Sequence, residues 1–150
     1  MSHVSLLYHI VIRTKYSAWA INDEHEMDLY KYMNSIAKAR KCLVHIINGM
    51  PDHVHLLISI SPTISISEFM MVLKTETSKW MKKSGYFPNF VGWGNGYAAF
   101  SYHADRQAVV YRYIQNQKPH HLKQSFRDEF DQEMIRHGLD PSKDLFFKDD

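Results

Sequence analysis

The spacing of apolar residues changes period several times along the chain, and each change predicts an element. Residues Leu6 to Lys15 (LLYHIVIRTK) are rich in β-branched and aromatic side chains and predict a strand. From Asn22 to about Lys41, Met27, Tyr30, Met33, Ile36 and Ala37 recur at three- and four-residue spacing, which predicts an amphipathic helix capped by Asn22 or Asp23. Leu43 to Asn48 is again β-rich, Gly49-Met50-Pro51-Asp52 carries turn residues, and His53 to Ile60 resumes a strand. Two strands around a short turn predict an antiparallel hairpin.

Beyond Ser61-Pro62 the period becomes helical from Ile66 to Lys83, with Phe69, Met70, Leu73, Thr77, Trp80 and Met81 on the apolar stripe and Ser65 or Ser67 as the cap. Ser84 to Gly96 holds four glycines and one proline among aromatics and predicts a long loop, followed by a strand from Tyr97 to Tyr102. Helices are predicted from about Asp105 to Gln117, ending near Pro119, and from about Leu122 to His137, ending at Gly138. There are no internal repeats. The order strand, helix, strand, strand, helix, strand predicts an α+β fold of ferredoxin-like βαββαβ type, with an antiparallel sheet extended by carboxy-terminal helices.

Composition narrows the class. With 150 residues, 45% of them hydrophobic, the chain has the size and apolar content of one globular domain. No apolar stretch approaches the roughly 20 residues needed to span a bilayer, and the amino terminus lacks the layout of a signal peptide, so a cytoplasmic protein is expected. The single Cys42 cannot form an internal disulfide and is read as a buried small residue. A net charge of +2 permits nucleic-acid binding without demanding it. Lys74, Lys79, Lys82 and Lys83 gather in one stretch, and Asp128, Glu129, Asp131 and Glu133 in another, which reads as a solvated helix face.

The candidate chemistry lies in His53-Val54-His55. In a strand, residues two apart share a face, so the two imidazoles stand side by side while Val54 points the other way. Ten histidines among 150 residues make such a spacing common by chance, and two imidazoles do not complete a metal site. Gln117 is a candidate third ligand, since its amide oxygen suits hard cations and it follows Tyr113 by one helical turn. Tyr113 shares a helix face with Gln117 and is a candidate nucleophile, but with Val109, Val110 and Ile114 it reads first as a core aromatic, and Tyr111 is a competing tyrosine on roughly the opposite side.

Four blocks of sequence carry a resemblance. They are Tyr8-His9 with Thr14-Lys15-Tyr16, then Gly49-Met50-Pro51-Asp52-His53-Val54-His55-Leu56-Leu57, then Gly96-Tyr97-Ala98-Ala99-Phe100-Ser101, and lastly Tyr113-Ile114-Gln115-Asn116-Gln117-Lys118-Pro119-His120-His121. In this order, and through about Leu139, the chain resembles the single-tyrosine HUH transposases of small insertion sequences, the letters standing for His-hydrophobic-His. The resemblance implies that His53, His55 and Gln117 hold a divalent ion, Mg²⁺ or Mn²⁺, and that Tyr113 rather than Tyr111 is the nucleophile. It further implies a homodimer that binds hairpins in single-stranded DNA, with the tyrosine serving its own or the partner's site. One departure is Tyr16-Ser17-Ala18-Trp19-Ala20, where the family often continues with basic residues.

The implied chemistry is transfer of a phosphodiester to Tyr113, giving a 5′-phosphotyrosine and a free 3′-hydroxyl. Exchange of one diester for another conserves bond energy, which agrees with the lack of a nucleotide-binding glycine loop. Arg13, Lys15, Lys74, Lys79, Lys82, Lys83 and Arg112 are candidate phosphate contacts, and Trp80, Tyr86, Phe87 or Trp93 candidate stacking platforms, although Trp80 falls on the apolar stripe of its helix. Two other readings stay open: a hairpin-binding module that does not cut, and a hydrolytic metal site for small phosphate esters.

Overall fold

The structure, a computed structural model, describes residues 2–120, 123–144 and 146–148. Strands β1 (Leu7–Arg13), β2 (Leu43–Met50), β3 (His53–Ser59) and β4 (Ala98–Tyr102) form one sheet in the order β2-β3-β1-β4, with every neighbouring pair antiparallel. Helix α1 (Glu26–Ala39) joins β1 to β2, and α2 (Ile66–Ser84) joins β3 to β4. Three helices follow β4: α3 (Gln107–Gln115), the short α4 (Gln117–His120) and α5 (Phe126–Arg136). This is the split βαβ arrangement that the sequence predicts, with its helical extension.

The two faces of the sheet follow from strand alternation. Ile10 and Ile12 of β1 and Val54, Leu56 and Ile58 of β3 point to one side, where Leu29, Met33, Phe69, Met70 and Leu73 of α1 and α2 close an aliphatic core. His9, Val11 and Arg13 share the other side with His53, His55 and Leu57, because the register pairs His9 with Leu57, Val11 with His55 and Arg13 with His53. That side is covered by α3, whose Val110 and Ile114 pack on Leu7 and Leu57, and by α5 and the tail, whose Phe126, Phe130 and Phe146 pack on Val11 and Phe100.

Several boundaries differ from expectation for local reasons. β2 runs through Gly49 and Met50, so the hairpin turn is only Pro51-Asp52. Gly49 is needed there, since a Cβ at this position would run into the His53 carbonyl oxygen of the paired strand. Helix α1 starts later than Asn22, whose side chain instead closes the preceding turn by accepting from the His25 amide at 2.9 Å; Met27 is exposed rather than on the apolar stripe. Ser65 caps α2 by accepting from the Glu68 amide at 3.1 Å. The helix expected to run from Asp105 through Gln117 divides into a 3-10 turn (Ala104–Arg106), α3 and α4, with the break at Asn116. Pro119 causes it, having no N–H to donate to the Gln115 carbonyl. The last helix begins at Phe126, capped by Ser125, while His121 and Leu122 lie outside the described residues. Among the described residues no helix is long and apolar enough to cross a membrane.

Candidate active site

β3 brings His53 and His55 to the face beneath α3 and α5, and β1 adds His9 beside them; all three are buried. The turn residue Asp52 places its carboxylate 2.7 Å from His53 Nδ1. A carboxylate can only accept, so His53 carries its proton on Nδ1 and keeps the Nε2 lone pair for the site, the arrangement that fixes ring orientation in metal-ligating histidines. His55 Nδ1 lies 2.7 Å from His9 Nε2, and the two rings stack at 5.0 Å. Burial, and secondarily the neighbouring His55, hold the His9 pKa well below its ordinary value, so His9 is a neutral hydrogen-bonding partner.

Tyr113 approaches from α3, with its ring 6.1 Å from those of His9 and His55 and 5.4 Å from that of His120. Asn48 of β2 fixes this end of α3 by donating to the carbonyls of Ile114 and Gln115 at 3.0 and 3.2 Å. Lys118 of α4 reaches Glu26, Asn48 and the Gly49 carbonyl, which seats Gln117 in the interior with no exposed surface. Burial raises the Tyr113 pKa above its ordinary value; the nearby Glu129 raises it further, and Gln117 acts in the opposite sense. Tyr113 is therefore a neutral phenol at neutral pH. Tyr111 and Arg112 are exposed on the outer side of α3 and do not face the histidines.

Helix α5 supplies what the sequence reading missed. Phe126 stacks on His53 with ring centroids 3.5 Å apart and planes 7° from parallel. One turn later, Glu129 places one oxygen 3.0 Å from His55 Nε2 and the other 3.2 Å from His120 Nε2. His53, His55 and Glu129, all buried, form a group able to hold a metal ion, each offering one ligand atom within 4.8 Å of the others. The chemistry of the donors fits: cis ligands of an octahedral ion, each about 2.1 Å from it, stand about 3.0 Å apart. In sequence, Phe126, Glu129, Phe130 and Glu133 follow i, i+3, i+4, i+7 spacing, so two acids lie within an apolar stripe, and that is the signal that could have found them.

Residues 2–117 match the family described as "Transposase IS200 like". The chain belongs to the IS200-like transposase family. The ISDra2 transposase TnpA of Deinococcus radiodurans is 28% identical over 119 residues, covering 75% of this chain and 84% of that protein. Among solved structures, a transposase of Deinococcus radiodurans R1 superposes with a TM-score of 0.61 at 25% identity, covering 77% of this chain and 93% of the other. A REP-associated tyrosine transposase bound to a REP hairpin shares the fold with a TM-score of 0.55 at 12% identity, covering 77% and 72% of the two chains.

In this IS200-like transposase the expected phosphate contacts separate. Lys15, Lys74, Lys79 and Lys82 line one open groove with Ser78 and Trp93, although Lys74 also donates to the Gly94 and Gly96 carbonyls at 2.7 and 2.8 Å. Lys83 is exposed but does not line the groove. Arg13 is buried at 1% exposure, and its guanidinium donates to the carbonyls of Phe146 and Lys148, so it holds the tail rather than facing solvent. Of the expected stacking platforms, Phe87 and Trp93 are buried and Trp80 stacks on Tyr32. Tyr86 stacks on His25, while Tyr16 and Trp19 are the more exposed rings. A cleft that includes Tyr113 and His9 is flanked by Arg106 and by Arg136, the latter paired with Glu133 at 2.7 Å; neither arginine stands out in the sequence.

Proposed function

We propose that this transposase cleaves and rejoins single-stranded DNA at hairpin-bearing ends through a 5′-phosphotyrosine on Tyr113, with a divalent ion held by His53, His55 and Gln117. The observation that carries this reading is the convergence of Tyr113 from α3 with His53 and His55 from β3, with the buried Gln117 of α4 one helical turn beyond Tyr113. When bound, the ion, Mg²⁺ or Mn²⁺, supplies charge neutralisation at a non-bridging oxygen of the scissile phosphate.

The protein's own residues do the rest. Asp52 and His9 orient the two imidazoles. Tyr113 attacks phosphorus in line: its phenol releases a proton to solvent as the bond from its oxygen to phosphorus forms, the bond to the 3′-oxygen breaks, and that oxygen takes up a proton and leaves as a hydroxyl. Because burial and Glu129 keep the phenol protonated, attack requires positive charge close to the hydroxyl, and Gln117 favours the ionised form. Arg106 in the adjoining cleft draws the strand towards Tyr113, while Arg136 beside it is paired with Glu133 at 2.7 Å. Attack by another 3′-hydroxyl reverses the step and joins new ends without a nucleotide cofactor. The lysine groove of α2 suits the hairpin phosphates, with Tyr16 and Trp19 available for unpaired bases.

The assembly in this reading is a homodimer, with Tyr113 serving its own or the partner's site. Mixing Tyr113→Phe with His55→Ala subunits tests exchange, since only a tyrosine acting in the partner's site restores cleavage. The main test is a denaturing gel for a covalent protein–DNA adduct on hairpin-bearing single strands with Mn²⁺. Wild type and Tyr111→Phe should form the adduct and Tyr113→Phe should not; an adduct on Tyr113→Phe removes Tyr113 as nucleophile. One observation favours a second reading, a hairpin-binding module that does not cut: α5 leaves His53 and His55 at 0% and 2% exposure. Metal-independent hairpin binding by wild type without adduct would select it.

A further inference from the structure

Glu129 lies beyond residue 117, where the family match ends, yet it reaches the middle of the histidine site. Its helix is firmly seated. Phe126 stacks on His53, Phe130 stacks on Phe146 at 4.4 Å, and both phenylalanines join the cluster on Val11 and Phe100. A carboxylate carried into the interior by such packing, with its side chain 3% exposed and one oxygen 3.0 Å from His55 Nε2, makes an anionic pocket beside two imidazoles.

We propose that Glu129 is itself a protein ligand of the divalent ion, so that the centre is a two-histidine, one-carboxylate site whose carboxylate comes from the carboxy-terminal helix. This rests on the reading that the ion sits on His53 and His55. Gln117 and Glu129 come from different helices, and an ion held by these residues would keep room for substrate oxygens if it took six ligands. The carboxylate would cancel one of the two charges of the ion and so strengthen its retention, while the two imidazole nitrogens favour Mn²⁺ over Mg²⁺. Glu129 also lines one small cavity together with Tyr113, His9 and His55, so one carboxylate stands beside both the ligand set and the nucleophile.

The test is Mn²⁺ binding to the full chain without DNA, followed by electron paramagnetic resonance and calorimetry. Glu129→Gln keeps the shape and removes the charge, and it should weaken Mn²⁺ binding at least about tenfold, the loss that even an outer partner of a metal ligand typically causes. Asp131→Asn, on the same helix, should stay within about twofold, since a distant surface charge is screened. Wild-type affinity in Glu129→Gln overturns the proposal, and it does so most sharply if that variant also forms more adduct, because α5 is then a cover over the site. If Glu129→Gln does not fold, Glu129→Asp retains the charge but withdraws it by one methylene, and unchanged affinity there overturns the proposal equally. A wild type that binds Mn²⁺ and forms the Tyr113 adduct while Glu129→Gln binds normally leaves the proposed function standing. A wild type that binds no Mn²⁺ removes both.

Discussion

The two faces of the sheet are built from the same strands and do opposite things. On β3, Val54, Leu56 and Ile58 enter a core with no exposed surface, while His53 and His55 enter an equally buried layer made of imidazoles, carboxylates and aromatic rings. The aliphatic layer is closed by α1 and α2, both within the βαββαβ unit. The other is closed by α3, α4 and α5, which follow it, and by polar bonds as much as by apolar contact. One layer makes the sheet rigid, so the other can hold charged groups in fixed positions.

Adjacent residues of β3 should therefore fail in opposite ways. Leu56→Ala should cost about 2–5 kcal/mol of stability through lost burial and a cavity, with the adduct reaction surviving in the folded fraction. His55→Ala should abolish the adduct while costing less stability than Leu56→Ala. Urea denaturation alongside the adduct assay checks both, and equal stability losses at the two positions would erase the distinction between the faces.

This division was partly legible in the sequence. The alternation His53-Val54-His55 assigns imidazole and aliphatic side chains to opposite faces whatever the tertiary structure, because the strand period is two. The pairing of β1 with β3 also follows from the βαββαβ order. The contribution of α5 was not legible, for the acids Glu129 and Glu133 look like a solvated run until the helix is docked through Phe126 and Phe130. Arg13 misled for the same reason. A charged residue at a strand end reads as a surface phosphate contact, but here the tail at 146–148 folds back and covers it.

That tail offers the next comparison. Apolar contact alone would not require Arg13, whereas the guanidinium bonds to the Phe146 and Lys148 carbonyls make it the anchor of the cover. Arg13→Met should free residues 146–148 in hydrogen exchange and lower stability by about 1.5–3 kcal/mol, the usual range for charged hydrogen bonds. Peptides of α2 on the opposite face should keep their protection. Unchanged exchange in the tail would mean that the aromatic cluster holds it unaided.

The aliphatic side has its own buried ionisable group, Tyr30, whose pKa is raised by burial and by the neighbouring Glu26. A raised folded-state pKa means that the native state binds more protons than the unfolded state above about pH 10, so stability is full below that value and declines as pH rises past it. The slope from one such group reaches at most about 1.4 kcal/mol per pH unit. Tyr30→Phe should flatten the decline measured by urea denaturation between roughly pH 10 and 11. An identical slope in the variant would show that Tyr30 does not contribute.

The smallest effects separate local from functional consequences most cleanly. Ser65 caps α2 and Ser125 caps α5 by the same device, a side-chain oxygen accepting from the amide three residues on, at 3.1 and 3.2 Å. Ser→Ala at either position should cost about 1 kcal/mol, because the lost bond is chemically the same. Only Ser125→Ala should also weaken Mn²⁺ binding, since α5 carries Phe126 against His53 and Glu129 against His55 whereas α2 touches neither histidine. Equal stability losses with unequal metal affinity would locate the dependence in the position of α5 rather than in overall stability. Equal metal affinity in the two variants would mean that the site tolerates fraying of that helix, and that its geometry is set by the strands alone.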